Sequence, residues 1–226
     1  SDGLLIANGA GERIWRPLFN PQTTQISAFR DSGPKGFGLQ QRNRDFGAYH
    51  DLEASYHRRP GAWVTPLAGF RRGDVRLVEL PAKTETEDNI VASWRPADPL
   101  QPGREHKFAY TLDWGLEPPA PVGVIPALRW RSGAVMDWKG GKPHVSARQF
   151  IVDFGPFPDG VDGLRAEVVA SKGDVHHITL QPNASFGGAR LGFEFEPRGA
   201  VVSDLRATLF RGPVPLTEVW IYRWLA

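Results

Sequence analysis

Hydrophobic and polar residues alternate with a period of two along much of the chain, which is the pattern of half-buried β-strands. The clearest case is the segment 108–114, which puts Phe108, Tyr110, Leu112 and Trp114 on one face. The 25 glycines and 20 prolines supply frequent turns and argue against long helices. The sequence therefore predicts an all-β protein built from many short strands.

The first half of the chain contains several strand-like runs and one exception. Strands are predicted at residues 4–6, 13–16, 25–29, 74–80, 90–94 and 108–114. The exception is the segment 46–56, where Tyr49, Leu52 and Tyr56 recur at helical spacing and Asp45 is available as an N-cap. We expect a short helix or a helical turn at this point.

A proline-rich stretch, residues 117–121, marks a boundary because proline at this density cannot join a sheet ladder. Beyond it the pattern predicts seven short strands, at residues 128–131, 149–154, 164–170, 176–181, 189–195, 204–210 and 218–224. That number and spacing are typical of an immunoglobulin-like sandwich. The predicted organisation is a first domain over 1–116, a linker over 117–126 and a second domain over 127–226.

Composition narrows the classes of function. The net charge is only +2 and no basic stripe is present, so nucleic acid is not expected as a partner. The absence of cysteine excludes disulfides and thiolate metal sites. Nucleotide-binding glycine loops and the Gly-x-Ser-x-Gly elbow are missing. His176 and His177 are adjacent on a predicted strand, so we expect them on opposite faces and without a shared metal.

Two regions carry candidate chemistry. In residues 36–64, Arg, Asp, Asn, Gln, Tyr and Trp interleave without a continuous apolar face. This mixture is typical of sugar sites, where planar polar groups bind hydroxyls and aromatic rings stack on pyranoses, but a salt-bridge network that holds a long loop has the same composition. In residues 84–94, Glu85, Glu87 and Asp88 precede an apolar strand. They are either crowded acids at the edge of a cleft or a solvated acidic turn.

The same regions resemble a known family, the osmoregulated periplasmic glucan biosynthesis proteins G and D. The similar stretches are residues 1–4, 14–18, 36–39, 41–46, 59–64, 78–81 and 88–92, with weaker similarity at 150–154 and 218–220. The resemblance implies a longer periplasmic protein, of which residues 1–116 form the last part of a large, galactose-mutarotase-like β-sandwich with a groove. It also implies that the second domain is immunoglobulin-like. Since the chain starts without an initiator methionine, we interpret it as a piece of that protein.

The resemblance also implies a chemistry. The family makes or processes β-1,2-linked glucan, and some members are inverting glycoside hydrolases, which need a general acid and a base-side carboxylate. Asp88 matches the general acid and Glu85 an acidic neighbour, whereas the base maps upstream of Ser1 and Asp2 is a poor substitute for it. No metal or organic cofactor is expected.

Residue type and neighbourhood add a binding set. Glucose hydroxyls are assigned to Arg42, Arg44, Asp45 and Glu53, and stacking faces to Trp15, Tyr49 and Trp63. Arg16 is either a further substrate ligand or one half of a structural ion pair. The strand patterns place Trp94, Trp114, Trp220 and Trp224 in the core.

Three functions stay open at this point. The chain is part of a β-1,2-glucan hydrolase, of a non-hydrolytic glucan-binding or assembly factor, or of a structural protein that docks on a membrane glucosyltransferase. The expected partners are a β-glucan, the missing N-terminal part of the same protein and, as a further candidate, that glucosyltransferase. A second acid across the groove favours catalysis, whereas an apolar opposite wall favours binding.

Overall fold

A computed structural model describes residues 1–84, 87–118, 123–137 and 142–226. These residues form β-strands joined by turns, with two single-turn 3-10 helices. The expected all-β class is therefore confirmed. The chain folds into two compact units, Ser1–Ala120 and Pro121–Ala226.

The first unit contains two antiparallel sheets. Its strands are β1 (Gly3–Ala7), β2 (Arg13–Pro17), β3 (Gln25–Asp31), β4 (Gly36–Gln40), β5 (Gly61–Ala68), β6 (Gly73–Glu79), β7 (Ile90–Pro96) and β8 (Ala109–Gly115). One sheet has the order β2-β1-β4-β5-β8 and the other the order β3-β6-β7. The core contains Leu4, Leu5 and Ile6 from β1 and Val75 and Leu77 from β6.

The alternation of hydrophobic and polar residues does not predict strands β4 and β5, because glycine and proline interrupt them. A Cβ on Gly38 would lie 1.9 Å from the carbonyl oxygen of Ala62, so only glycine lets the two strands approach this closely. A Cβ on Gly36 would lie 2.3 Å from the indole of Trp63. The small residues of β4 thus make room for β5 and for a buried tryptophan.

The predicted helical segment is confirmed only as a turn. Asp45 caps the 3-10 helix Phe46–Ala48, and its Oδ1 accepts a hydrogen bond from the Gly47 amide at 2.9 Å. His50 and Ser55 then adopt positive φ angles of 52° and 47°, which end helical continuation. A second 3-10 helix follows at Tyr56–Arg58.

The second unit also has two sheets, and it contains all seven predicted strands. The strands are β9 (Ala127–Asp137), β10 (Lys142–Phe154), β11 (Leu164–Ala170), β12 (Asp174–Asn183), β13 (Gly188–Glu196), β14 (Val202–Arg211), β15 (Val214–Pro215) and β16 (Val219–Leu225). The sheet orders are β12-β13-β10-β9 and β11-β14-β16, with β15 beside β14. Phe150 and Phe193 of one sheet contact Trp220 of the other at ring distances of 6.0 and 6.2 Å, so aromatic packing fills the sandwich.

Within the described residues, no helix is both long and apolar enough to cross a membrane.

Candidate functional site

Several chain segments meet at one end of the first unit. The Leu18 amide bonds the Asp2 carbonyl at 2.9 Å, and the Phe19 amide bonds the Glu79 carboxylate at 3.1 Å. Asn20 and Ala82 exchange two hydrogen bonds of 2.8 Å between the Asn20 side chain and the Ala82 backbone. The segment 18–20 therefore connects the start of β1 with the β6–β7 hairpin.

Asp88 lies in that hairpin. The Leu80 amide bonds the Asn89 carbonyl at 2.8 Å and closes the hairpin directly behind Asp88. Asp88 is exposed, and no hydrogen bond or ion pair joins its side chain to any residue that the structure describes. Its neighbour Glu87 accepts hydrogen bonds from the Lys83 amide and the Thr84 hydroxyl, both at 3.2 Å. Glu85 lies outside the described residues.

Asp2 fixes the start of the β4–β5 loop, residues 41–60. Its Oδ2 accepts hydrogen bonds from the backbone amides of Arg42 and Asn43, each at 2.6 Å. The Tyr49 hydroxyl approaches Oδ1 at 3.5 Å. Burial, and then the negative charge and hydrogen bond of Asp2, raise the pKa of the Tyr49 phenol above its ordinary value. The carboxylate of Asp2 is therefore already committed to holding the loop.

Two of the predicted stacking residues are buried. The Trp15 side chain is only 4% exposed, and the Arg42 guanidinium covers its ring at 3.6 Å from the ring centre. Trp63 is also 4% exposed and packs against Gly36. Neither indole presents an open face to a sugar, because each is enclosed by the protein's own atoms. In this structure the outward-facing group at Trp15 is Arg42, which is half-buried.

The remaining residues of the loop brace one another. Arg44 donates to the carbonyl oxygens of His57, Arg59 and Leu116 at 3.2, 2.6 and 2.9 Å. The Tyr49 ring stacks on Tyr56 with centres 5.8 Å apart. These contacts match the loop-holding network that the composition left open. Glu53, by contrast, is exposed and makes no hydrogen bond or ion pair with the described part of the chain.

Arg16 forms a buried ion pair. Its Nη2 lies 2.9 Å from Glu79 Oε2, and the two side chains are 1% and 0% exposed. The pair links β2 of one sheet to β6 of the other. Of the two roles predicted for Arg16, the structure therefore supports the structural one, since a side chain enclosed in this way cannot reach a substrate.

The prediction that Trp114 lies in the core is wrong. It is 66% exposed, whereas Trp220 is fully buried as predicted. Trp114 lies on β8, the last strand of its sheet, and lines a shallow cleft with Gln40, Asp113 and Glu117. The period-two pattern identified the strand correctly, but it carries no information about whether another layer covers that face.

The prediction that His176 and His177 face opposite ways is also wrong. The register of β12 shifts between His176 and Thr179, and His177 has a φ of 50°. His176 therefore approaches Glu196 at 3.8 Å and His177 approaches Glu194 at 2.9 Å, two carboxylates on the same face of β13. Among the described residues, no group of three or more His, Asp or Glu side chains is arranged to hold a metal ion.

Comparison with known proteins decides the family. Residues 1–224 match the profile of the family described as periplasmic glucan biosynthesis protein, MdoG. The chain is 45% identical to the glucans biosynthesis protein G of Shewanella baltica strain OS195 over 228 residues, and 43% identical to that of Vibrio cholerae strain M66-2 over 230 residues. Each alignment covers 99% of this chain. The chain belongs to this family.

The chain spans about two fifths of the length of those relatives, since each alignment covers 41% of the longer protein.

In this MdoG-family chain, the sequence does not predict that Asp2 holds the start of the β4–β5 loop. The pairing of Gly3 with Gln40 brings Asp2 beside residues 42 and 43, and that register joins positions almost forty residues apart. The only local signal is an acidic residue directly before a strand. That signal does not show which backbone amides the carboxylate will bind.

Proposed function

We propose that this chain forms the glucan-binding end of a periplasmic protein that acts on β-1,2-linked glucan as an inverting hydrolase. Family membership supports a role in periplasmic glucan biosynthesis. The proposal of an inverting hydrolase depends on one observation. The segment 18–20 links the start of β1, where Asp2 holds the β4–β5 loop, to the Asp88 hairpin at the same end of the first unit. In this role Asp88 donates the proton to the glycosidic oxygen, and Glu85 keeps the surrounding region acidic.

The β4–β5 loop supplies the binding groups. Of the predicted sugar-contacting residues, Glu53 is exposed and Arg42 and the stacking candidate Tyr49 are half-buried, and Arg44 and Asp45 hold the loop that presents them. Trp15 supports this surface by carrying Arg42 on its ring, whereas Trp63 is buried against Gly36 of β4. Arg16 stabilises the frame on which the end of the unit is built.

The base of an inverting pair belongs, in this proposal, to the rest of the full-length protein. Asp2 is unsuited to that task because its carboxylate already accepts two amide hydrogen bonds of 2.6 Å. A general acid in a glycosidase works in a cleft from which water is largely excluded. Asp88 is exposed in this chain, so the bound glucan or the remaining polypeptide must cover the hairpin during catalysis.

The remaining polypeptide also completes the first unit. Tyr110, Leu112 and Trp114 of β8 are 53%, 47% and 66% exposed, and the first two line an apolar groove with Phe70 and Trp94. An exposed apolar edge strand is a surface that natural proteins pair or cover. We therefore propose that the missing N-terminal part supplies the strands that cover this groove, and that residues 1–116 are the end of a larger β-sandwich.

The second candidate is a glucan-binding or assembly factor without hydrolysis. The exposure of Asp88 favours it, because an uncovered carboxylate in a solvated hairpin is common in proteins that have no acid–base chemistry. The hydrolase and the assembly factor would both bind glucan at the same end of the first unit, and both agree with the family's role in glucan biosynthesis.

The stereochemistry of cleavage tests the hydrolase proposal. The full-length protein is incubated with linear β-1,2-glucan, and the new reducing ends are followed by proton NMR before they mutarotate. Inversion predicts that the α-anomer appears first. Initial release of the β-anomer contradicts an inverting mechanism. Binding of the glucan without any cleavage supports the assembly factor instead.

A further inference from the structure

A second polar cleft lies at the other end of the first unit. It has a volume of about 860 Å³ and is formed by the β1–β2 turn, the end of β3, the start of β6 and the end of β7. Arg30, Arg72 and Arg95 line it. Since Asp88 precedes β7 and Arg95 lies near its end, the seven-residue strand separates them by roughly 20 Å. The cleft is therefore distinct from the proposed glucan-binding end.

Two of these arginines lie in one row across three strands, on either side of an aspartate. Arg30 of β3 is paired with Asp74 of β6, and Asp74 is paired with Arg95 of β7. Directly opposed residues of an antiparallel sheet project from the same face, so Arg30 and Arg95 flank the Asp74 side chain on that face. Neither Arg30 nor Arg95 makes a hydrogen bond or an ion pair with any part of the chain that the structure describes, and both are exposed.

The carboxylates of the cleft are already engaged elsewhere. Asp74 bonds Arg76 Nε at 3.2 Å rather than Arg30 or Arg95. Asp31 accepts the Gly9 amide on both carboxylate oxygens, at 3.1 and 2.9 Å, and the Ser32 amide at 2.6 Å. Arg30 and Arg95 are therefore ion-paired with neither carboxylate, and the single negative charge of Asp74, which lies between them, is bonded to Arg76.

The lining indicates which ligand fits. Among the described residues that line the cleft there is no aromatic side chain, so this lining lacks the stacking surface with which proteins hold neutral sugar rings. Planar guanidinium groups match the oxygen pairs of phosphate and carboxylate. We propose that this cleft binds an oxyanion of the phosphate class, held by Arg30 and Arg95 and approached by the exposed Arg72. Arg72 is available because its contact with Asp98 is a 3.3 Å pair between two exposed side chains.

Calorimetric titration of the full-length protein tests this site. The probes are inorganic phosphate, glucose 6-phosphate and uncharged glucose, at low ionic strength. The test variant is Arg30→Gln/Arg95→Gln. The matched control is Arg148→Gln/Arg104→Gln, which removes the same charge from two exposed arginines outside the cleft. Thermal melting confirms that both double variants stay folded, as expected for side chains without partners.

We expect saturable binding of both phosphate probes, weakened about tenfold in Arg30→Gln/Arg95→Gln and unchanged in the control. Added salt should weaken this binding, because exposed charges are screened. Equal phosphate affinity in parent and test variant would overturn the proposal. So would glucose binding that depends on Arg30 and Arg95, which would make the cleft a neutral sugar site. This titration measures phosphate binding and not glucan cleavage. The oxyanion site can therefore be disproved while the proposed hydrolase stands, and the reverse.

Discussion

The buried pair Arg16–Glu79 makes a sharp stability prediction. Glu79→Gln keeps the size and shape of the side chain but removes its charge, so the enclosed Arg16 guanidinium faces a neutral amide in place of the carboxylate. Both side chains are essentially inaccessible, and the pair spans the two sheets at 2.9 Å. Removing one member of a buried pair typically costs about 3–5 kcal/mol. We expect a loss of that size in the free energy of unfolding.

The exposed pair Arg72–Asp98 provides the control. Its side chains are 72% and 88% exposed at a separation of 3.3 Å. Exposed pairs contribute about 0–1 kcal/mol, so Asp98→Asn should change stability by less than about 1 kcal/mol. Guanidinium denaturation of the full-length protein and both variants measures the difference through the shift in midpoint.

A double-mutant cycle separates charge from packing. The double variant Arg16→Met/Glu79→Leu removes both charges of the pair. It should therefore lose less stability than the sum of the losses in Arg16→Met and Glu79→Leu. The reasoning is refuted if Glu79→Gln behaves like Asp98→Asn. It is also refuted if the two single losses simply add, because the pair would then carry no coupling.

Three further predictions concern the first unit. In Asp2→Asn the pKa of Tyr49 should fall but stay above its ordinary value, since burial is the larger cause, and phenolate absorbance during alkaline titration measures it. Because the folded-state pKa of Tyr49 is raised, its contribution to stability is complete below the ordinary tyrosine pKa of about 10 and is lost as the pH rises through the folded-state value. Gly38→Ala should cost at least about 2 kcal/mol in thermal or chemical unfolding, because its Cβ would overlap the Ala62 carbonyl oxygen; a neutral result would contradict the tight β4–β5 approach. A chain of residues 1–116 should aggregate or unfold without cooperativity, whereas residues 122–226 should melt cooperatively; a soluble, cooperative 1–116 would disprove the need for further strands.

Local patterns predicted much of the fold. The alternation in β8 and the capping aspartate at residue 45 both depend on neighbouring residues, and the structure contains both features. Strands β4 and β5 were missed because Gly36, Gly38 and Pro66 are unusual in strands and are explained only by what packs against them. Sequence patterns report local geometry well and contacts between distant segments poorly.

The tryptophans illustrate the same limit at the candidate site. Trp63 was assigned to sugar and is buried, whereas Trp114 was assigned to the core and is exposed. Composition indicates that an aromatic ring is available, but burial depends on which layers surround it. The sequence predicts Asp88 directly before an apolar strand, and β7 does begin at Ile90, but the nearness of the β4–β5 loop and the catalytic role of Asp88 do not follow from that pattern.

Asp88 is the proposed acid of a glucan hydrolase, and this role can be tested by comparing three proteins. The full-length protein, Asp88→Asn and the control Glu87→Gln are incubated with linear β-1,2-glucan, and released oligosaccharides are quantified against time. Loss of a general acid should reduce the rate by about 100-fold or more, while Glu87→Gln, which removes a neighbouring exposed charge, should stay close to the parent. Cleavage by Asp88→Asn at the parent's rate would show that Asp88 is not the general acid. A parent that binds glucan without cleaving it would show that the protein is not a hydrolase.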